Sequence, residues 1–82
     1  DANAPNPFSA ETRIAFSLAE AGPARLALYD VLGREVAVLA DGEMAEGRHE
    51  VRVDASALST GTYVYRLAAG GQQLVRQMTV VR

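Results

Sequence analysis

Acid–base and nucleophilic chemistry needs side chains that titrate near neutrality or can be activated, and this chain has few of them. His49 is its only histidine, and it has no cysteine. Ser9, Ser17, Ser56 and Ser59 fall in turns or on a polar face. A serine nucleophile would need His49 beside it and a carboxylate to orient the ring, and no spacing in the chain brings these together. His49 therefore reads as a solvated residue at the start of a strand. Without thiols there is no disulfide framework, no thiolate metal site and no thiol nucleophile. Asp41, Glu43 and Glu46 in "DGEMAEG" offer oxygens to a calcium ion, but they match no strong calcium-loop pattern and read as solvated loop acids. Asp30 and Asp54 stand at strand ends, where an aspartate braces a turn. The glycines make no phosphate loop, because no helix follows them. No catalytic residue, metal ligand, cofactor or small-molecule substrate is expected.

The totals agree with a binding or structural role. Eighty-two residues make one domain, 1–82, with residues 1–11 as an extended lead-in or linker. A chain of this length buries roughly 60–65% of its unfolded surface, enough for one modest core. An apolar content of 49% fits a folded globule. The net charge is -2 and all eight basic residues are arginine, so there is no basic excess for phosphate binding, and nucleic acid is not an expected partner. No apolar run approaches the ~18 residues of a membrane helix, and the start lacks the basic-then-apolar pattern of a signal peptide. An export address would lie upstream, or the domain would itself be part of the address.

The elements that must position any site are short alternating runs separated by turn residues, which predicts an all-β fold with essentially no helix. "DANAPNPFS" is extended and irregular; "TRIAFSL" puts Thr12, Ile14, Phe16 and Leu18 on one face. "AEAGP" is a break with Gly22-Pro23 as its turn, and "ARLALYD" sets Leu26 and Leu28 inward. "EVAVLA" is a further apolar run, and "DGEMAEGR" reads as a polar loop bounded by Gly42 and Gly47. "HEVRVDA" points Val51 and Val53 inward, and "TYVYRLAA" does the same with Tyr63, Tyr65 and Leu67. Gly70-Gly71 is a hairpin turn of the kind that accepts positive φ, before the closing "QQLVRQMTVVR". Six strands are clear, and a seventh is expected in residues 54–60 or in the opening segment. Sequential antiparallel pairing into two facing sheets is the default expectation.

The stretch "YDVLGREVAVL", residues 29–39, holds an apolar pair at a hairpin tip. Asp30 at the first position and Gly33 at the fourth fit a type I turn closed by a glycine bulge, a device that fixes strand register. The preferred reading of Val31 and Leu32 is structural, with Leu32 folding back to plug an open end of the sandwich. The other is that they are contacts for something outside the domain.

Taken together, "APNPFSAETRIAFSL", "LALYDVLGREVAVL", "GEMAEGRHEVRVDASALSTGTYVYRL" and "RQMTVVR" resemble the C-terminal sorting domain of proteins exported by the bacterial type IX (Por) secretion system. The specific pieces are Asn6-Pro7-Phe8, Tyr29-Asp30 with Leu32-Gly33-Arg34, Gly47 before His49, Gly61 two before Tyr63, and the last strand. The resemblance implies an immunoglobulin-like antiparallel β-sandwich of about seven strands. It further implies a covalently linked N-terminal cargo, passage through the periplasm and recognition by the outer-membrane translocon. Removal by a surface peptidase or sortase would follow, leaving the cargo extracellular or on the outer-membrane surface. Translocon recognition carried over residue by residue points to Arg76, Met78, Val80, Val81 and Arg82. Periodicity by itself makes Met78 and Val80 core, and both readings can hold for an edge strand that buries one face. The related immunoglobulin-like module of the flagellar hook-capping protein is an alternative, as is a carbohydrate-binding or spacer module. The latter has few exposed aromatics to work with, since only Phe8 and Tyr29 are left outside the expected core.

Overall fold

The computed structural model describes residues 3, 4, 11–54, 56 and 58–81. Six long strands form two antiparallel sheets: β2 (Glu11–Leu18), β3 (Gly22–Tyr29), β4 (Glu35–Met44), β5 (Gly47–Asp54), β6 (Gly61–Ala69) and β7 (Gln72–Val80). A two-residue strand, β1 (Asn3–Ala4), precedes them. The described residues contain no α-helix. One sheet runs β1-β2-β5 and the other β4-β3-β6-β7.

The alternation read from the sequence is what makes these strands. In β2, Thr12, Ile14 and Phe16 are buried, while Glu11, Arg13 and Ser17 are exposed. Ile14, Phe16 and Val53 from the first sheet meet Leu26, Leu28, Tyr63, Tyr65, Leu67, Met78 and Val80 from the second in one core, and Val51 packs against it. Burying a large apolar side chain contributes about 1.5–3 kcal/mol. Gly70 and Gly71, with φ of 58° and 77°, make the two-residue turn that sets Ala69 opposite Gln72. Positive φ at both positions is the signature of a type I′ turn, whose twist matches the right-handed twist of the flanking strands.

Three expectations are corrected. Pairing is not sequential throughout: β2 pairs with β5 and β3 with β6, because the chain crosses between sheets after β2, after β4 and after β5. Each crossing gives both sheets an apolar face to close over the same core. Gly22 and Pro23 form no turn but open β3, with Pro23 exposed and facing Glu43. Pairing with β6 begins only at Ala24, so proline stands at a strand start, where its missing donor is tolerated. The "DGEMAEGR" loop shrinks to residues 45 and 46, because β4 continues through Asp41, Gly42 and Glu43 opposite Gly22–Arg25. An edge strand can keep such polar residues in water while its backbone stays in the ladder.

Candidate functional site

The residues singled out from the sequence sort into a hairpin tip, a set of strand starts and the last strand. The tip is built around Asp30. Its carbonyl accepts the N–H of Gly33 at 3.0 Å, and its own N–H donates to the carbonyl of Arg34 at 2.9 Å. Its carboxylate accepts the N–H groups of Leu32 and Arg34 on Oδ1, at 2.9 and 3.0 Å, and the Arg34 Nε on Oδ2 at 2.9 Å. Gly33, at φ 83°, takes the left-handed conformation that closes the bulge. The type I turn read from "DVLG" is therefore present, with the aspartate as its clamp.

The fate of Val31 and Leu32 differs from the structural reading. They are 72% and 73% exposed, so Leu32 does not plug the end of the core. The five hydrogen bonds around Asp30 fix the turn, and its two central side chains stand in solvent.

The N–H of Arg34 above all, with its guanidinium and the N–H of Leu32, holds the Asp30 carboxyl below its ordinary value; burial opposes them, second in size only to the Arg34 N–H. A carboxyl lowered by folding stabilises the folded state when ionised, above its unfolded value near ~4, and loses that contribution as pH falls through the lowered folded value. The gap in urea midpoint between the natural chain and Asp30→Asn is expected to be full at neutral pH. It should shrink as the solution is acidified below about pH 4, where the aspartate becomes neutral like its replacement. A gap that stays constant down to strong acid would contradict the clamp.

Gly47 and Gly61 open β5 and β6. Tyr63 is buried near the start of β6 and its hydroxyl donates to the carbonyl of Ser59, four residues back at the β5–β6 corner, at 2.8 Å. In β7, Met78 and Val80 are fully buried and Arg76 is exposed, while Val81, just beyond the strand, is 44% exposed. The shared face of Arg76, Met78 and Val80 is thus core at one end and solvent-facing at the other. Asn6, Pro7, Phe8 and Arg82 lie outside the described residues.

No pair of titrating groups is assembled for chemistry among the described residues. His49 is not a solvated ring: it is half-buried, stacks on Phe16 with centroids 5.4 Å apart, and shares a hydrogen bond with the carbonyl of Ala45 at 2.7 Å. Phe16 and His49 are register partners in β2 and β5, a contact invisible until those strands are known to pair. Asp41 faces Arg25 at 3.9 Å, and Arg25 also binds Glu35 at 2.8 Å, a surface network across β3 and β4. No group of three or more metal-capable side chains occurs among the described residues. A cleft of about 420 Å³ between the end of β2 and the β6–β7 turn is lined by Phe16, Leu18, Leu67 and Leu74, with Glu20 as its one acid. Arg66 lies over the ring of Tyr29 at 4.9 Å, which half-covers the one described aromatic left outside the core.

The four sheet edges are unlike one another. β4 is broken by register shifts between Leu26 and Ala27 and between Leu28 and Tyr29, and carries Glu35, Asp41 and Glu43. β5 carries Arg48, Glu50, Arg52 and Asp54, and β1 is only two residues long. β7 pairs with β6 in unbroken register over nine residues, contains no proline, and has Arg76 as its single charge. Bulges, charges, prolines and short length are the devices that stop an edge from recruiting another strand, and β7 has the fewest of them.

Compared with known families, residues 4–81 match the model described as secretion system C-terminal sorting domain. No curated protein and no solved structure matches the chain.

Proposed function

The chain belongs to the C-terminal sorting domains of type IX secretion, and from that membership we propose that it directs a linked N-terminal cargo through the outer-membrane translocon by presenting β7 as an open strand. Membership in this family makes it a sorting signal of a secreted or cell-surface protein. The observation that carries the finer reading is the unguarded β7 edge beside three guarded or very short ones. A partner sheet can add to such an edge, with main-chain hydrogen bonds giving affinity and alternate side chains giving selectivity. Of the recognition residues carried over from the family, Arg76 in the strand and Val81 just beyond it are exposed to a receptor in the folded domain; Met78 and Val80 contribute by holding the strand on the core. Arg82 completes the recognition set carried over from the family, and Asn6-Pro7-Phe8 is its entry motif.

The domain is an immunoglobulin-like sandwich spanning 1–82. Two features support this: strand order β1-β2-β5 over β4-β3-β6-β7, and the Tyr63 hydroxyl bonded back across the β5–β6 corner, the arrangement of a tyrosine corner. The cargo passes through the periplasm with this domain attached, and a surface peptidase or sortase then removes it.

The test is delivery. A fluorescent reporter carrying a periplasmic export signal and residues 1–82 at its C-terminus is expected outside the cell in a strain with a working type IX system, and inside in the same strain without the translocon. Removing residues 79–82 should then abolish delivery. Reporter retained in the periplasm of both strains, with the domain folded, would overturn the reading and leave a structural module.

A further inference from the structure

We infer that the Val31–Leu32 turn is a second contact with the secretion machinery, an apolar tip that enters an apolar-lined pocket of the same protein that pairs with β7. This rests on the sorting reading above. Val31 and Leu32 are the most exposed large apolar side chains of the described domain, at 72% and 73%. Single exposed apolar residues need no explanation, but two adjacent ones at the centre of a turn break the local preference for proline and small polar residues there. Valine, stiff at its branched β-carbon, is at home in a strand. Nothing inside the domain gains from the choice, since neither side chain reaches the core. Residues that break a local rule without a structural return mark functional positions.

The turn is also preorganised. The carboxylate and backbone of Asp30 fix it through hydrogen bonds to Leu32, Gly33 and Arg34, so little conformational freedom is lost when a partner closes on it. Its position joins it to the strand already proposed as the signal. Tyr29 is level with Val64 and Gly61 with Val80, so the chain beyond Tyr29 runs toward the end of the sheet where β7 finishes. Two strand spacings, about 10 Å, separate β3 from β7. Val31, Leu32 and the half-exposed Val81 thus occupy one end of the domain. One protein surface can hold the β7 edge and receive the tip together. A lipid surface fits less well, because interfacial anchoring takes a broad apolar face and several basic residues, and the turn carries only Arg34.

The experiment compares the reporter carrying natural residues 1–82 with the same reporter carrying Val31→Ser and Leu32→Ser, in translocon-competent and translocon-deficient strains. Thermal unfolding and sedimentation of the two purified 82-residue chains accompany it. The natural sequence is expected outside only in the competent strain, and the double variant should be delivered about tenfold less well, as for a buried anchor lost from an interface. The unfolding temperature and monomeric state should be unchanged. If the double variant loses stability, Leu32→Asn, which suits a turn, supplies the same comparison. Full delivery of the folded variant would overturn the inference and leave the sorting reading intact. No delivery of the natural sequence in either strain would overturn the sorting reading and the inference with it. Tip-dependent self-association, or tip-dependent binding to outer-membrane lipid vesicles, accompanied by full delivery of the variant would assign the tip to those partners instead and overturn the inference.

Discussion

Replacing Phe16 by alanine is expected to remove about half of the domain's stability. Phe16, in β2, is 1% exposed and belongs to the cluster shared by both sheets. Truncating a buried phenylalanine costs about 3–5 kcal/mol, because the transfer energy is lost and a cavity stays behind. Domains of this size hold only about 5–10 kcal/mol in all. The first sheet is also the thinner one, with two full strands, so it supplies few other large anchors: Ile14 and Val53 are the remaining fully buried aliphatic members from that side. His49 gives an internal comparison. Its stacked ring on Phe16 is half-buried, and an aromatic pair adds about 0.5–1.5 kcal/mol beyond area burial, so His49→Ala should be much milder. Urea unfolding followed by circular dichroism measures both. A Phe16→Ala midpoint close to that of the natural chain would mean that the two sheets do not depend on this contact.

What was legible in the sequence was whatever a short window contains. The alternation of Thr12, Ile14, Phe16 and Leu18 gives β2 and its inward face, because a strand turns successive side chains to opposite sides. Asp30 with Gly33, and Gly70 with Gly71, carry their turn chemistry within a few residues, and both turns are present. Sheet order is a different kind of information. That β2 lies beside β5 depends on which apolar faces meet over the core, and no local pattern encodes it. The same gap explains the misreading of Val31 and Leu32: their turn type was readable, but whether a turn of that type leans over the core or continues past it depends on the whole sheet. The acids of 41–43 resembled a loop because an edge strand with solvated side chains has a loop's composition. In β7, alternation correctly grouped Arg76, Met78 and Val80, yet only the opposite sheet decides where along that face burial begins.

That division within β7 allows folding to be separated from delivery. Met78 is fully buried, and Met78→Ala is expected to cost about 2–5 kcal/mol through its cavity. Arg76 is exposed, with its guanidinium turned back to the carbonyl of Val75 at 3.0 Å, and Arg76→Ala should change stability by less than about 0.5 kcal/mol. The two variants should then exchange their rank in the delivery assay. At a temperature low enough for the destabilised Met78→Ala chain to stay folded, its reporter should still leave the cell, because a side chain sealed in the core offers nothing to a receptor. The stable Arg76→Ala chain, and more so Arg76→Ala with Val81→Ser, should be retained in the periplasm, because those side chains flank the open edge. If delivery instead follows stability across all three variants, the signal is the folded domain as a whole and no side chain of β7 is read. If Met78→Ala stays in the periplasm while demonstrably folded, β7 must be released from the core and read as an extended peptide, and the edge-pairing mechanism is wrong.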